Sequence, residues 1–285
     1  MDADTGGATP DPRTPNRRAQ ILSVLATFAG VVVLHVLAGV VVIGVLAGFD
    51  ATSMTLTPEL LVILAAVTSS IFLVVGLAAA ARSPEGISKS LRLAPGRLGI
   101  GMILVSVFVF ICLSQVADSI LDLTGWAEGS LLADMSKSMS QASGVTLVAA
   151  VLALGVGGGL GEEVFFRGYM QTRLRPAMGA WPAILATSAA FGLMHFDFVH
   201  TPVAFLFGIV FGWIAEKAGS IVPTIAAHII NNIMAVLGAA LLPIPETTTP
   251  DLALTAVLLP AGALATGLIA WRVPGFAPAP GAHAA

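Results

Sequence analysis

Cysteine and charged residues are both scarce in this 285-residue sequence. The single cysteine, Cys112, lies within an apolar run, which excludes a disulfide framework and a cysteine-based metal site. Only 10% of the residues are charged, the net charge is −3, and the few basic residues do not cluster into a stripe. We therefore predict no nucleic-acid partner.

Hydrophobic residues, by contrast, make up 56% of the chain, and the mean hydropathy is +0.94. One soluble core of this size could not bury so much apolar surface, so membrane lipid is an expected partner. The apolar residues come in long runs bounded by charged or Pro/Gly-rich breaks, whereas an outer-membrane barrel shows short alternating segments. The sequence therefore predicts an all-α, polytopic membrane helix bundle.

Eight candidate transmembrane helices can be drawn from these runs, with seven as the alternative count, and the fifth and sixth are the least well defined. They cover residues 21–48, 59–81, 98–121, 145–173, 181–197, 202–217, 221–242 and 251–271.

The distribution of basic residues predicts the orientation. If the N-terminus is cytoplasmic, 12 of the 13 lysines and arginines fall on the inner side, and only Lys137 lies outside. We therefore predict a multi-pass protein of the cell membrane with both termini in the cytoplasm. The segment 124–143 is then an outer loop, and it either lies on the membrane surface, caps the protein or simply connects two helices.

Ionisable residues inside the predicted fourth span need a reason, because charge in a membrane is costly. On a helix, Glu163 and Arg167 are four residues apart and can form an ion pair, whereas Glu162 points about 100° away. Such a pair would leave the Glu162 carboxylate free for chemistry. The alternative is that both glutamates only neutralise nearby arginines at the end of the helix.

Two further motifs place polar side chains on later spans. Phe191 and His195 share one helix face at four-residue spacing, and so do His228 and Asn232. Asn231 lies on another face and is the second choice. Taken singly, each motif is also typical of polar contacts between membrane helices.

Together the three motifs favour amide hydrolysis. A carboxylate and an imidazole, Glu162 and His195, can deprotonate a water molecule. His228 and Asn232 offer hydrogen-bond donors suited to a developing oxyanion. Of the other histidines, His35 is expected to be an interhelical contact, and His200, in a short outer loop, is expected to be non-catalytic.

The ordered motifs EExxxR, FxxxH and HxxxN on successive helices resemble the CPBP family, also called Abi. That family contains the type II CAAX prenyl endopeptidases and bacteriocin-processing or immunity proteins. The resemblance covers about residues 145–241. It implies that Glu162 and His195 activate the attacking water and that His228 and Asn232 stabilise the tetrahedral intermediate. The supporting residues of the site are then Glu163, Arg167 and Phe191.

The resemblance also defines the cofactor and substrate expectations. Such families are often labelled metalloproteases, and Glu162, His195 and His228 are the residues that could hold Zn²⁺. The sequence has no HExxH motif, so a glutamate-activated water without a committed metal is preferred and zinc stays open. The expected substrate is a prenylated CAAX-type protein or a bacterial membrane peptide. A non-proteolytic scaffold or bacteriocin-immunity protein of the same fold is the main alternative, and a proton-coupled transporter is another.

The predicted organisation of the chain has five parts. They are a polar, disordered cytoplasmic N-terminus (1–20), N-terminal transmembrane helices with the outer loop (21–143), a catalytic helix core (144–242), a last transmembrane helix (243–273) and a disordered tail that includes His283 (274–285).

Overall fold

The computed structural model describes residues 16–47, 55–242 and 252–278. Within these ranges the protein is helical and has no strand, which confirms the predicted all-α class. The helices are α1 (Arg17–Ala47), α2 (Pro58–Ala81), α3 (Gly86–Ser90), α4 (Ile100–Thr124), α5 (Leu131–Met139), α6 (Gly144–Met178), α7 (Ala180–Leu193), α8 (His200–Ala218), α9 (Val222–Leu241) and α10 (Leu252–Arg272).

Seven helices in the described ranges are long and apolar enough to cross a membrane: α1, α2, α4, α6, α8, α9 and α10. Large apolar side chains remain exposed on them, including Val45 at 76%, Val145 at 86% and Leu264 at 76%. Extensive exposed apolar surface is unusual for a soluble monomer, and lipid is the environment that would cover it. The chain is therefore a multi-pass membrane protein.

The fifth predicted span, 181–197, is shorter than expected. Helix α7 has 14 residues, or about 21 Å at 1.5 Å per residue, whereas the hydrocarbon core is about 30 Å thick. Gly179, with a φ of +91°, makes the sharp turn between α6 and α7. At its other end, α7 stops at Leu193, and residues 194–199 form a loop before α8. His195 therefore lies in this loop and not on a membrane-spanning helix.

Helix α6 is the central helix of the bundle. Two of its segments, Val151–Gly158 and Glu163–Gln171, have the wider i→i+5 turns of a π-helix. Such turns are rare and are frequently found at functional sites. All nine residues of the second segment are buried, so this part of α6 is surrounded by other helices on every side.

Basic residues from several helix ends meet at one end of the bundle. There the Glu216 carboxylate of α8 pairs with Arg92 at 2.8 Å and with Arg175 at 3.0 Å. The neighbouring Lys217 donates a hydrogen bond to the backbone oxygen of Val273 at 2.7 Å. Two of the basic residues that were predicted to be cytoplasmic, Arg92 and Arg175, therefore lie close together on one carboxylate.

Both terminal boundaries differ from the predicted ones. Helix α1 begins at Arg17, inside the segment 1–20 that was predicted to be disordered, and Gln20 donates a hydrogen bond to Arg173 on α6. At the other end, the predicted tail 274–285 is packed as far as residue 278, since the Ala277 N–H bonds the backbone of α8 at 2.9 Å. Residues 1–15, 48–54, 243–251 and 279–285, with His283 among them, lie outside the described residues.

Candidate active site

Glu163 and Arg167 form the predicted ion pair in the middle of α6. The Arg167 Nη1 donates to the Glu163 Oε1 at 2.8 Å, and the two side chains are 1% and 0% exposed. The Glu162 side chain is 18% exposed. The pair therefore holds one carboxylate in the interior and leaves the other accessible, as the spacing predicted.

His228, on α9, lies between the two glutamates. Its Nδ1 is 3.1 Å from the Glu163 Oε1, and its Nε2 is 3.5 Å from the Glu162 Oε2. A carboxylate oxygen accepts hydrogen bonds, so the Nδ1–H donates to Glu163 and the Nε2 faces Glu162. The sequence argument paired Glu162 with His195, but the imidazole beside Glu162 in the structure is that of His228. Phe211 of α8 stacks on the same ring, with centroids 4.6 Å apart.

The ring of Phe191, on α7, contacts both histidines of the predicted site. Its centroid is 5.0 Å from that of His195 and 5.9 Å from that of His228. The Arg167 guanidinium lies over the same ring at 4.4 Å, a favourable cation–π contact. Phe191 therefore contacts His195, as expected from their four-residue spacing.

The tautomer of His195 follows from its backbone contact. Its Nδ1 is 3.0 Å from the carbonyl oxygen of Phe191. A carbonyl can only accept, so the proton of the neutral ring is on Nδ1 and the Nε2 is an acceptor. His195 can therefore accept a hydrogen bond from a water molecule.

The two asparagines of the HxxxN motif face different helices. Asn232 donates from its Nδ2 to the backbone oxygen of Leu154 on α6, at 3.3 Å. The Asn231 side chain is hydrogen bonded to Ser114 of α4 instead. Asn232 is therefore the asparagine that shares the α6 side of α9 with His228, as predicted.

Close helix contacts at glycines bring these motifs together. A methyl group added at Gly159 would lie 2.8 Å from the backbone nitrogen of Ile229, the residue after His228. At Gly161 it would lie 2.7 Å from the backbone oxygen of Ser69 on α2. Since real Cβ atoms do not come so close, only glycine lets α9 and α2 approach α6 at these positions.

A polar ladder between α6 and α8 was missed by the sequence analysis. Arg167 donates to the backbone oxygen of Gly208 at 3.3 Å, and Gln171 donates to that of Gly212 at 3.0 Å. The donors are four residues apart on one helix and the acceptors four apart on the other. These buried bonds hold the Arg167 side of α6 against α8. The four-residue spacing of Gly208 and Gly212 was the feature of the sequence that could have indicated this contact.

His200 is another residue whose position differs from expectation. It was assigned to an outer loop and judged non-catalytic, but it is the first residue of α8 and its ring centroid is 4.0 Å from that of His195. Its position five residues after His195 was the one sequence signal. His35, by contrast, packs on Phe72 of α2 at 4.5 Å and is the interhelical contact that was predicted.

The proposed zinc ligands do not form a metal-binding group. In the part of the chain that the structure describes, no three His, Cys, Asp or Glu side chains are arranged to hold a metal ion. Glu162, His195 and His228 therefore do not fit a preformed zinc site, although Glu162 and His228 are close to each other.

Comparison with known families locates the same region of the chain. Residues 144–234 match the family model described as Type II CAAX prenyl endopeptidase Rce1-like. The match contains all seven residues of the three motifs and covers about a third of the chain. It is consistent with the CPBP family and supports a CAAX-type intramembrane protease family. No curated protein and no solved structure matches the chain.

Proposed function

We propose that this multi-pass membrane protein, whose residues 144–234 form an Rce1-like domain, is an intramembrane endopeptidase. It hydrolyses a C-terminal or juxtamembrane peptide bond of its substrate. The observation that carries the proposal is the position of His228 between a buried, paired glutamate and a more accessible one. This arrangement supplies a base and a hydrogen-bond donor at one place in the helix bundle.

Glu162 is the general base. Its carboxylate is the accessible one of the two, whereas Glu163 is occupied by Arg167 and His228. Glu162 accepts a proton from the attacking water. His195 accepts the second hydrogen bond of that water through its free Nε2, which orients the oxygen toward the substrate carbonyl.

His228 and Asn232 stabilise the oxyanion. With His228 protonated, the charges of Glu162, Glu163, Arg167 and His228 sum to zero, which suits a buried cluster. The protonated ring donates from Nδ1 to Glu163, and its Nε2–H, which faces Glu162 at 3.5 Å, donates to the substrate oxygen once Glu162 has taken up the water proton. Asn232, one turn further along α9, supplies an amide N–H from its Nδ2.

The proposed reaction needs no reactant other than the substrate and one water molecule. The water oxygen bonds to the carbonyl carbon while its proton moves to Glu162. As the tetrahedral intermediate collapses, the carbon–nitrogen bond breaks and Glu162 returns the proton to the leaving amine. The immediate products are a carboxylic acid and an amine. The remaining proton of the water then moves from the acid to the amine, which gives a carboxylate and an ammonium ion, and the enzyme regains its starting protonation.

We propose a cytoplasmic substrate with a prenylated CAAX-type C-terminus, and a bacterial membrane peptide as the other class. The Rce1-like match supports the first class. The cluster of basic side chains around Glu216 supports cytoplasmic termini in a cell membrane, by the positive-inside rule.

The test is cleavage of a fluorogenic farnesylated CAAX peptide by the purified protein in detergent. Wild type is compared with Glu162→Gln, and Glu85→Gln is the matched control, since it makes the same chemical change at a surface carboxylate paired with Lys89. We expect the Glu162 variant to lose about 10²-fold or more in kcat, the range of general-base catalysis, and the control to keep wild-type activity.

Cleavage that survives in Glu162→Gln would overturn the assigned base. If wild type cleaves neither the prenylated peptide nor an unprenylated membrane peptide, the proteolytic function fails. In that case a cellular phenotype that Glu162→Gln leaves intact would favour the scaffold or immunity role.

A further inference from the structure

The loop that carries His195 is held by one carboxylate. Asp197, which is 8% exposed, accepts through its Oδ1 from the backbone N–H groups of Val199 at 3.0 Å and His200 at 2.6 Å. These are donors at the start of α8 that have no partner within the helix. A carboxylate at this position also interacts favourably with the helix dipole.

The other oxygen of Asp197 reaches a different helix. Its Oδ2 accepts from the backbone N–H of Leu131 at 2.9 Å, the first residue of the outer helix α5. Burial alone would raise the pKa of Asp197, but the N–H groups of His200, Leu131 and Val199 lower it below its ordinary value. One side chain therefore joins the starts of α5 and α8, although Asp197 lies 66 residues after Leu131 in the sequence.

The backbone beside Asp197 is strained. Phe196 has a φ of +50°, a conformation that a bulky residue with a Cβ rarely adopts. Such residues cost about 1–3 kcal/mol and persist only where surrounding contacts hold them. Phe196 lies directly between His195 and Asp197, so the bonds of Asp197 are placed to maintain the backbone that directs His195.

The same bonds position the second ring of the loop. The bond from the His200 N–H to Asp197 holds His200 in position, and the centroid of its ring lies 4.0 Å from that of His195. His195 is thus held from one side by Phe191 and from the other by a histidine that Asp197 anchors. Movement of α5 would be transmitted to both rings.

We propose that Asp197 is a positioning residue for His195, and that it clamps the loop 194–199 to the outer helix α5 so that the placement of α5 sets the turnover of the site. This inference rests on the proposed proteolytic function and deepens it. It assigns the outer segment 124–143 the role of a cap that acts on the catalytic loop, one of the alternatives left open by its sequence.

Two variants break the clamp from opposite sides. Asp197→Asn keeps the size of the side chain but removes one acceptor. Leu131→Pro removes the single N–H that Asp197 accepts from α5, at the first helical position, where proline is well tolerated. Leu131→Ala is the matched control, because it keeps that N–H and changes a side chain that is 42% exposed.

Peptide cleavage and backbone hydrogen exchange are measured on each purified variant. We expect kcat to fall about 10- to 100-fold in Asp197→Asn and about tenfold in Leu131→Pro, with KM close to wild type, because the water is misplaced and substrate binding is not. Exchange in residues 194–200 should rise in Leu131→Pro and stay at the wild-type rate in Leu131→Ala.

The possible failures are distinguishable. Wild type without peptide cleavage would refute the proposed function itself. An active wild type with unchanged kcat in Asp197→Asn and Leu131→Pro would refute the positioning role alone. Equal losses of kcat in Leu131→Pro and Leu131→Ala would show that packing of α5, and not the bond to Asp197, is responsible.

Discussion

Replacing Arg167 with methionine should destabilise the protein strongly, since it removes one partner of a fully buried ion pair. The Glu163 side chain is 0% exposed, and its charge is balanced by Arg167 at 2.8 Å. Breaking a buried pair in this way typically costs about 3–5 kcal/mol, because an uncompensated charge stays in the interior. The variant also loses the bond to Gly208 and the cation–π contact with Phe191, which favours the upper part of that range.

The double variant Glu163→Gln/Arg167→Met tests the electrostatic origin of the loss. It removes both charges and keeps an amide oxygen at position 163 that can accept from His228. Replacement of a whole buried pair by neutral side chains is often close to neutral in stability. We therefore expect the double variant to be more stable than Arg167→Met by about 2 kcal/mol or more.

The assay is reversible unfolding of the purified protein in mixed micelles, with the free energy of unfolding compared for wild type, both single variants and the double variant. The reasoning is refuted if Arg167→Met costs less than about 1 kcal/mol, which is the range of exposed pairs. It is also refuted if the double variant is no more stable than Arg167→Met, because the loss would then come from packing and not from an unpaired charge.

Three further predictions concern packing, pH and metal. Gly161→Ala should lower stability by about 1–3 kcal/mol, since the new methyl group meets the backbone of Ser69, whereas Gly39→Ala, with nothing within 4 Å, should be neutral in the same thermal-unfolding assay. The pKa of Asp197 is lower in the folded protein than in the unfolded chain. The contribution of Asp197 to stability is therefore present above about pH 4 and is lost as the pH falls through the folded pKa. The difference in Tm between wild type and Asp197→Asn should shrink in acid. Peptide cleavage should persist after incubation with a zinc chelator, because the residues described do not gather three metal-binding side chains; loss of activity that added Zn²⁺ restores would contradict the glutamate-activated water.

The predictions that the structure confirms were based on the spacing of residues within one helix. The pair Glu163 and Arg167 and the contact of Phe191 with His195 all follow from which residues share a face at four-residue spacing. That Asn232 lies on the same side of α9 as His228 could be predicted for the same reason. The predicted number of membrane-spanning helices, eight or seven, is close to the seven found in the described residues. Long apolar runs are a direct consequence of membrane burial and can be seen in the sequence.

Contacts between distant segments could not be predicted in this way. The short α7 looked like a span because apolar residues continue past its end, to Phe196 and Phe198. The position of His200 beside His195 depends on the bond from its backbone N–H to Asp197, and its spacing of five residues from His195 does not by itself predict that contact. The wider turns of α6 likewise have no counterpart in the periodicity of the apolar residues.

The two adjacent glutamates are not interchangeable, and the geometry of His228 is the reason. Glu163 binds the Nδ1 side of the ring and is itself neutralised by Arg167, so it fixes the orientation of the imidazole without being free to take a proton. That orientation turns the Nε2 toward Glu162, whose charge the ring can then balance. If Glu163 were absent, the ring could rotate and the Nε2–H would no longer lie beside Glu162, where the proposed mechanism places the substrate oxygen. In the proposed mechanism, the order Glu-Glu on one helix therefore separates two requirements of hydrolysis, since one carboxylate would organise the oxyanion site and the other would carry the proton.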